Sequence, residues 1–190
     1  MFIRSERLFL RPGWPEDWTD LLVRIADAAV VKNLAKVPWP YTAADARWFA
    51  EQPQDARCPH FFVTLPNTSG PTELVGCVGL ARDGDDVELG YWVGRDYWGR
   101  GYATEAGRAV LRLARTLGHQ RIVAKHYLDN PASGRVLRKL GFRATGEVRP
   151  SYSRARGCDV PGVVHTLKLG AASDCDGSGD DDGLPAMRAA

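Results

Sequence analysis

The pattern of apolar and polar positions predicts alternating strands and helices. Phe2 to Arg11 alternates around Leu8 and Leu10, as a half-buried strand does, and Pro12-Gly13 ends it. Pro15 with Glu16 and Asp17 makes a helix start, and Trp18, Leu21, Leu22 and Ile25 recur at helical spacing. These predict a helix over 15–25 and a second, short one over 28–34. Thr42 with Asp45 three residues later forms a capping arrangement before a helix through Trp48 and Phe49. Segments 61–65, 73–80 and 87–93 predict a three-stranded meander, turned by Pro66 to Pro71 and then by Asp83-Gly84-Asp85. A helix over 103–117 stopped by Gly118, a strand over 122–127 and a short helix over 132–140 closed by Gly141 follow, with last strands near 142–148 and 163–169. The expected fold class is α/β (α+β), a mixed, largely antiparallel central sheet flanked by helices.

Composition supports one domain over residues 1–169. The chain has 190 residues, 44% hydrophobic and 25% charged, the balance of a soluble globular protein. Residues 170–190 are rich in Gly and Asp without periodicity and read as a disordered acidic tail. No run approaches the roughly 18 apolar residues of a membrane span, and charges interrupt the first residues, so the expected location is cytoplasmic, away from any membrane. Cys58, Cys77, Cys158 and Cys175 lack the spacing of a zinc site and are expected to be reduced. Asn67-Thr68-Ser69 matches a glycosylation sequon but reads as a polar turn. The net charge of +2 includes the acidic tail; without it, 24 basic and 18 acidic residues leave +6. No Lys/Arg cluster or recognition-helix pattern points to nucleic acid, and a smaller polyanion fits this charge equally.

The most informative stretch runs from Glu88 to Glu105, a strand passing through a Gly/Arg-rich turn into a helix. Gly99 and Gly101 permit positive φ and close approach of backbone to ligand, while the free N–H groups of the helix start face the same point. Arg95 and Arg100 can add charge-assisted hydrogen bonds to phosphate oxygens. The alternative is a tight strand-to-helix connection without a ligand. Two other phosphate motifs fail on residues: Gly94 to Gly101 lacks the Lys and Ser/Thr of a Walker loop, and Thr104 stands where a dinucleotide fingerprint needs its third Gly.

Trp98-Gly99-Arg100-Gly101-Tyr102-Ala103-Thr104-Glu105-Ala106 resembles the acetyl-CoA motif of the GNAT superfamily, in the form of the RimJ/RimL type of protein N-terminal acetyltransferases. Trp98 stands where the generic pattern has Gln or Arg. Glu6 to Pro12 resembles the opening strand of that subgroup, and Asp129 to Ser133 through Lys139 to Phe142 resembles its late strand-loop-helix motif. The three matches occur in order and extend over about residues 5–169.

The resemblance implies acetyl-CoA as co-substrate and a sheet splayed between the strands at 87–93 and 122–127. Backbone at Gly99, Arg100, Gly101, Tyr102, Ala103 and Thr104 would hold the pyrophosphate, and Tyr91, Trp92 and Val93 would pair with the pantetheine arm as an added strand does. Glu88, on the strand bordering the thioester, is the candidate general base; otherwise it is a carboxylate facing solvent or paired with an Arg. Many family members place a thiolate-protonating Tyr where this chain has Leu137. Ser133 is the candidate donor to the sulfur or pantetheine, or else it caps its helix. Asn130 contacts the pantetheine amide or organises an Asx turn. Trp39 and Tyr41, in an aromatic loop, are candidate acceptor contacts or loop anchors. His126 reads as a structural strand histidine.

The resulting expectation is an N-acetyltransferase that transfers acetyl from acetyl-CoA to a primary amine, on a protein N-terminus or a small molecule. Transfer would be direct, in a ternary complex, with no metal and no acyl-enzyme, since no Cys or Ser nucleophile accompanies a His/Asp pair. An α-amine with a pKa of about 8, or a lysine of about 10, must lose a proton to react, which gives a base its role. The alternative is a catalytically weak coenzyme-A-binding sensor or accessory protein, with a nucleotide-binding module disfavoured by the broken Walker pattern. No motif selects the acceptor or an oligomeric state.

Overall fold

The computed structural model describes residues 1–67 and 72–170. The stretch expected as one opening strand is two: β1 (Ile3–Arg4) and β2 (Phe9–Arg11) pair antiparallel, with Ile3 opposite Leu10. Ser5 makes the difference, because its N–H donates to the Leu8 carbonyl at 2.9 Å and its hydroxyl accepts the Leu8 N–H at 3.2 Å. A hydrogen-bonded turn thus replaces continuous extension, and alternation alone does not reveal it.

A 3₁₀ turn at Pro15–Asp17 leads into α1 (Trp18–Ile25), followed by α2 (Ala28–Val31), shorter than the 28–34 segment expected, and α3 (Ala43–Ala50). The capping box before α3 is formed as the sequence predicts: the Thr42 hydroxyl accepts the Asp45 N–H, and the Asp45 carboxylate accepts the Thr42 N–H at 2.9 Å. The meander comprises β3 (His60–Leu65), β4 (Glu73–Asp83) and β5 (Asp86–Val93). Then come α4 (Tyr102–Thr116), β6 (Arg121–Tyr127), α5 (Pro131–Lys139) and the hairpin of β7 (Arg143–Ser153) and β8 (Cys158–Lys168). The hairpin strands outrun the predicted segments because mutual pairing continues through largely exposed residues, where apolar alternation carries no signal.

The sheet has the order β1-β2-β3-β4-β5-β6-β8-β7 and is antiparallel except between β5 and β6. Its two faces bury different helices. On one, α4 contributes Ala106, Ala109, Val110 and Ala114 to a core with Leu89, Ile122 and Ala124. On the other, α1 to α3 pack Leu21, Ile25, Val31 and Ala46 against Phe62 and Cys77. Small residues draw α4 close: a Cβ at Gly107 would lie 2.7 Å from a Leu140 methyl.

Cys58, Cys77 and Cys158 are free thiols, while Cys175 lies outside the described residues, as do residues 68–71 of the predicted turn and sequon and residues 171–190 of the predicted tail. Among the described residues no helix is long and apolar enough to cross a membrane.

Candidate active site

The parallel neighbours β5 and β6 share one register pair among the described residues, Glu88 opposite Val123. Beyond it the strands separate, so the backbone of β5 from Leu89 to Val93 has β4 on one edge and an open cleft on the other. Alternation along β5 sends Tyr91 and Val93 against the α4 core and Trp92 against the α1 to α3 core, the face that Glu88 shares by period. The three residues proposed to line the pantetheine arm therefore offer one backbone edge and two different side-chain faces.

At the end of β5 the chain enters the predicted turn. Gly99 and Gly101 have φ of +76° and +82°, the left-handed region that favours glycine. Gly101 is the N-cap of α4, and no side chain caps that helix. By contrast, Thr42 caps α3 and Asn130 caps α5. The first N–H groups of α4, from Tyr102 to Thr104, thus remain available to an anion together with the helix dipole, which fits the pyrophosphate of coenzyme A. Thr104 is buried, and Tyr102 is half-buried with the Arg7 guanidinium 4.9 Å over its ring. Arg100 is exposed beside the Tyr97 ring, while Arg95 approaches Asp27 at 3.6 Å and lines a small cavity with Arg24 and Tyr97.

Ser133 does not cap its helix. Asn130 does, accepting the Ser133 N–H at 3.3 Å, with Pro131 at the first helical position. The Ser133 hydroxyl is released toward β5, where it lies 2.7 Å from the Tyr91 phenol oxygen; that phenol also donates to the Ser133 carbonyl at 3.2 Å. Burial pushes the Tyr91 phenol up to about 12, against the opposing pull of the Ser133 hydrogen bond. Leu137 is fully buried in the α4-side core, so this position is a packing residue.

The Glu88 carboxylate has no hydrogen bond or ion pair among the described residues, and it is half-buried. The Arg pairing that the strand position also allowed is not formed among the described residues. Burial raises its pKa, Lys125 and Lys36 oppose that rise, and Asp83 adds to it. Lys125 itself is engaged with Asp83 at 2.6 Å. Trp39 and Tyr41 separate: Trp39 is exposed, whereas Tyr41 belongs to the α1 to α3 core, where burial raises its phenol pKa. Tyr41 anchors the loop, and Trp39 is the member of the pair open to a ligand.

His126 has a histidine partner on the neighbouring strand. Its Nδ1 lies 3.1 Å from Nε2 of His165 on β8, and both imidazoles are pushed down by burial. No spacing signal connects residues 126 and 165, so only strand order brings them together. No spacing signal connects Tyr91 with Ser133 either, since strand pairing involves Tyr91 only through its backbone. Among the described residues no group of three or more His, Cys, Asp or Glu side chains is placed to share a metal ion.

The acetyltransferase (GNAT) domain family model matches residues 7–143, well over half of the chain. The uncharacterized N-acetyltransferase p20 of Bacillus licheniformis is 29% identical over 161 residues, covering 80% of this chain and 88% of that protein. A GNAT-family acetyltransferase structure from Bacillus anthracis superposes with a TM-score of 0.75 at 26% identity, covering 88% of this chain and 98% of its own. RimL, a ribosomal-protein alpha-N-acetyltransferase solved with coenzyme A, superposes with a TM-score of 0.73 at 18% identity, covering 90% of this chain and 100% of its own. The uncapped glycine turn and the divergence of β5 from β6 agree with the sequence match, and the chain belongs to the GNAT family of acetyl-CoA-dependent N-acetyltransferases.

Proposed function

We propose that this protein acetylates a primary amine by direct attack on acetyl-CoA in the cleft between β5 and β6. The observation that carries the reading is the divergence of these strands at Glu88, with the uncapped start of α4 at the far end of β5. Pyrophosphate on the α4 amides and pantetheine along Tyr91 to Val93 would direct the thioester toward Glu88. The amine nitrogen attacks the thioester carbonyl carbon, the carbon–sulfur bond breaks, and Glu88 accepts the proton that the nitrogen loses. The leaving thiolate receives a hydrogen bond from Ser133, which Tyr91 orients. Asn130 holds the α5 start beside the pantetheine, Arg95 and Arg100 supply positive charge near the phosphates, and Trp39 borders the acceptor entrance.

The name of RimL supports a protein α-amine as acceptor class, with small-molecule amines as the other class to be tested. A second reading, a coenzyme-A-binding sensor of weak activity, rests on Leu137 filling the position of the usual phenol with a core side chain. The Tyr91 phenol favours the enzyme, because it returns a hydroxyl to the same cleft from the opposite wall. Release of free thiol from acetyl-CoA, measured against N-terminal peptides and small amines, tests the proposal. Turnover with either class supports it, and coenzyme A binding without turnover on any acceptor favours the sensor.

A further inference from the structure

Glu105 lies in the first turn of α4, and its carboxylate is 11% exposed. One oxygen accepts the Ser5 hydroxyl at 2.8 Å and the Arg7 N–H at 2.7 Å. The other accepts Nε of Arg7 at 2.8 Å and lies 2.7 Å from its Nη2. The same guanidinium donates from Nη1 to the Arg100 carbonyl at 3.1 Å and lies over the Tyr102 ring. A Cβ on Gly101 would sit 3.5 Å from Nη2. The turn between β1 and β2 thus touches Arg100, Gly101, Tyr102 and Glu105, spanning the whole start of α4.

This arrangement resolves an electrostatic conflict. A carboxylate in the first turn suits the helix dipole, but a bound pyrophosphate would occupy the same positive end, and two anions there repel. A bidentate guanidinium cancels the carboxylate in place, without withdrawing the amides that an anion needs. Burial opposes the charged form of Glu105, yet the bonds from Arg7 and Ser5 outweigh it and hold the carboxyl below its ordinary range.

We propose that Ser5 and Arg7 form a built-in counter-ion and brace for the pyrophosphate turn, positioning it for coenzyme A through Glu105 and the Arg100 carbonyl. The inference rests on the proposed acetyl-CoA site and identifies positioning residues, outside the reacting atoms. Because the contact acts on phosphate, it separates acetyl-CoA from S-acetylpantetheine, which lacks the pyrophosphate.

The test compares coenzyme A affinity and turnover for the full chain carrying Arg7→Ala, Arg7→Lys or Arg7→Ala with Glu105→Gln. Arg7→Ala is expected to weaken coenzyme A binding by about 10- to 100-fold, the scale of a lost charge-assisted contact, with kcat at saturating acetyl-CoA little changed. Turnover of S-acetylpantetheine should be unaffected. Adding Glu105→Gln should restore most of the affinity, because it removes the carboxylate that Arg7→Ala leaves without its counter-ion; a purely structural brace would be further weakened. Arg7→Lys, which keeps charge but cannot make the full set of bonds, should fall between and serves if Arg7→Ala does not fold. Unchanged affinity in Arg7→Ala, or in Arg7→Lys should that variant stand in, overturns the counter-ion, as does an equal loss with S-acetylpantetheine or failure of rescue in the double variant. Failure of the wild-type chain to bind coenzyme A would instead overturn the site reading on which the inference rests.

Discussion

The Tyr91 phenol oxygen and the Ser133 hydroxyl lie 2.7 Å apart, joining the middle of β5 to the first turn of α5 across the cleft where the sheet divides. Asn130 takes over the capping of α5 and leaves the Ser133 side chain free for this contact. In the proposed reaction the pair supplies a hydroxyl to the leaving sulfur, so its loss should act on kcat. Tyr91→Phe is expected to lower kcat by about tenfold, the worth of one net hydrogen bond, with the acceptor KM unchanged, and Ser133→Ala should lower it at least as far. Steady-state kinetics at saturating acetyl-CoA measures this; a rise in acceptor KM with constant kcat would assign the pair to acceptor binding.

Glu88 should set the acid limb of the pH profile. Burial raises its pKa, so the base is lost as pH falls through a value above the ordinary carboxylate range, and activity rises with pH through that window. Glu88→Gln is expected to lower kcat/KM by about a hundredfold and to remove this limb. A variant profile that keeps the limb would show that another group carries it.

The pair His126 and His165 should make stability pH-dependent. Both folded-state pKa values are depressed by burial below the ordinary 6.5, so the unfolded chain binds protons first as pH falls. The stabilisation is full above about 6.5 and is lost as pH drops toward the folded-state values. Urea denaturation between pH 7.5 and pH 5 should show this loss, and His165→Leu should flatten it. An unchanged slope in the variant would assign the dependence to other groups.

Arg11 and Asp17 are a buried pair, bonded in two places at 2.7 and 2.6 Å, with the Arg11 guanidinium 3.9 Å over the Trp14 ring. The Asp17 carboxylate also accepts the Trp14 N–H at 2.7 Å. Asp17→Ala leaves the Arg11 charge buried without its partner and should destabilise the fold by about 3–5 kcal/mol, read from the denaturation midpoint. A loss within the range of a surface substitution would show that the Arg11 charge escapes to water.

What the sequence by itself determined is local. The Thr42 and Asp45 cap, the start of α1 after Pro15 and the left-handed glycines at 99 and 101 each depend on φ or on hydrogen bonds spanning a few residues. The break at Ser5 is also local, but a side-chain bond to Leu8 produces it, and the apolar period does not record that bond. The glycine turn before α4 was legible for the same reason: glycine spacing, strand entry and helix exit all lie within one short segment.

Tertiary structure alone decided which distant groups meet. Glu105 finds Ser5 and Arg7 from the other side of the chain, Tyr91 finds Ser133, and His126 finds His165, because strand order and face bring them together. Trp39 and Tyr41 are two residues apart in one aromatic loop, yet one is exposed and the other is core. Residue type and spacing constrain bonds along the chain, whereas a contact between strands depends on the register and order of the whole sheet. The parallel step from β5 to β6, which opens the cleft at Glu88, is such a property: neither strand encodes its divergence from the other.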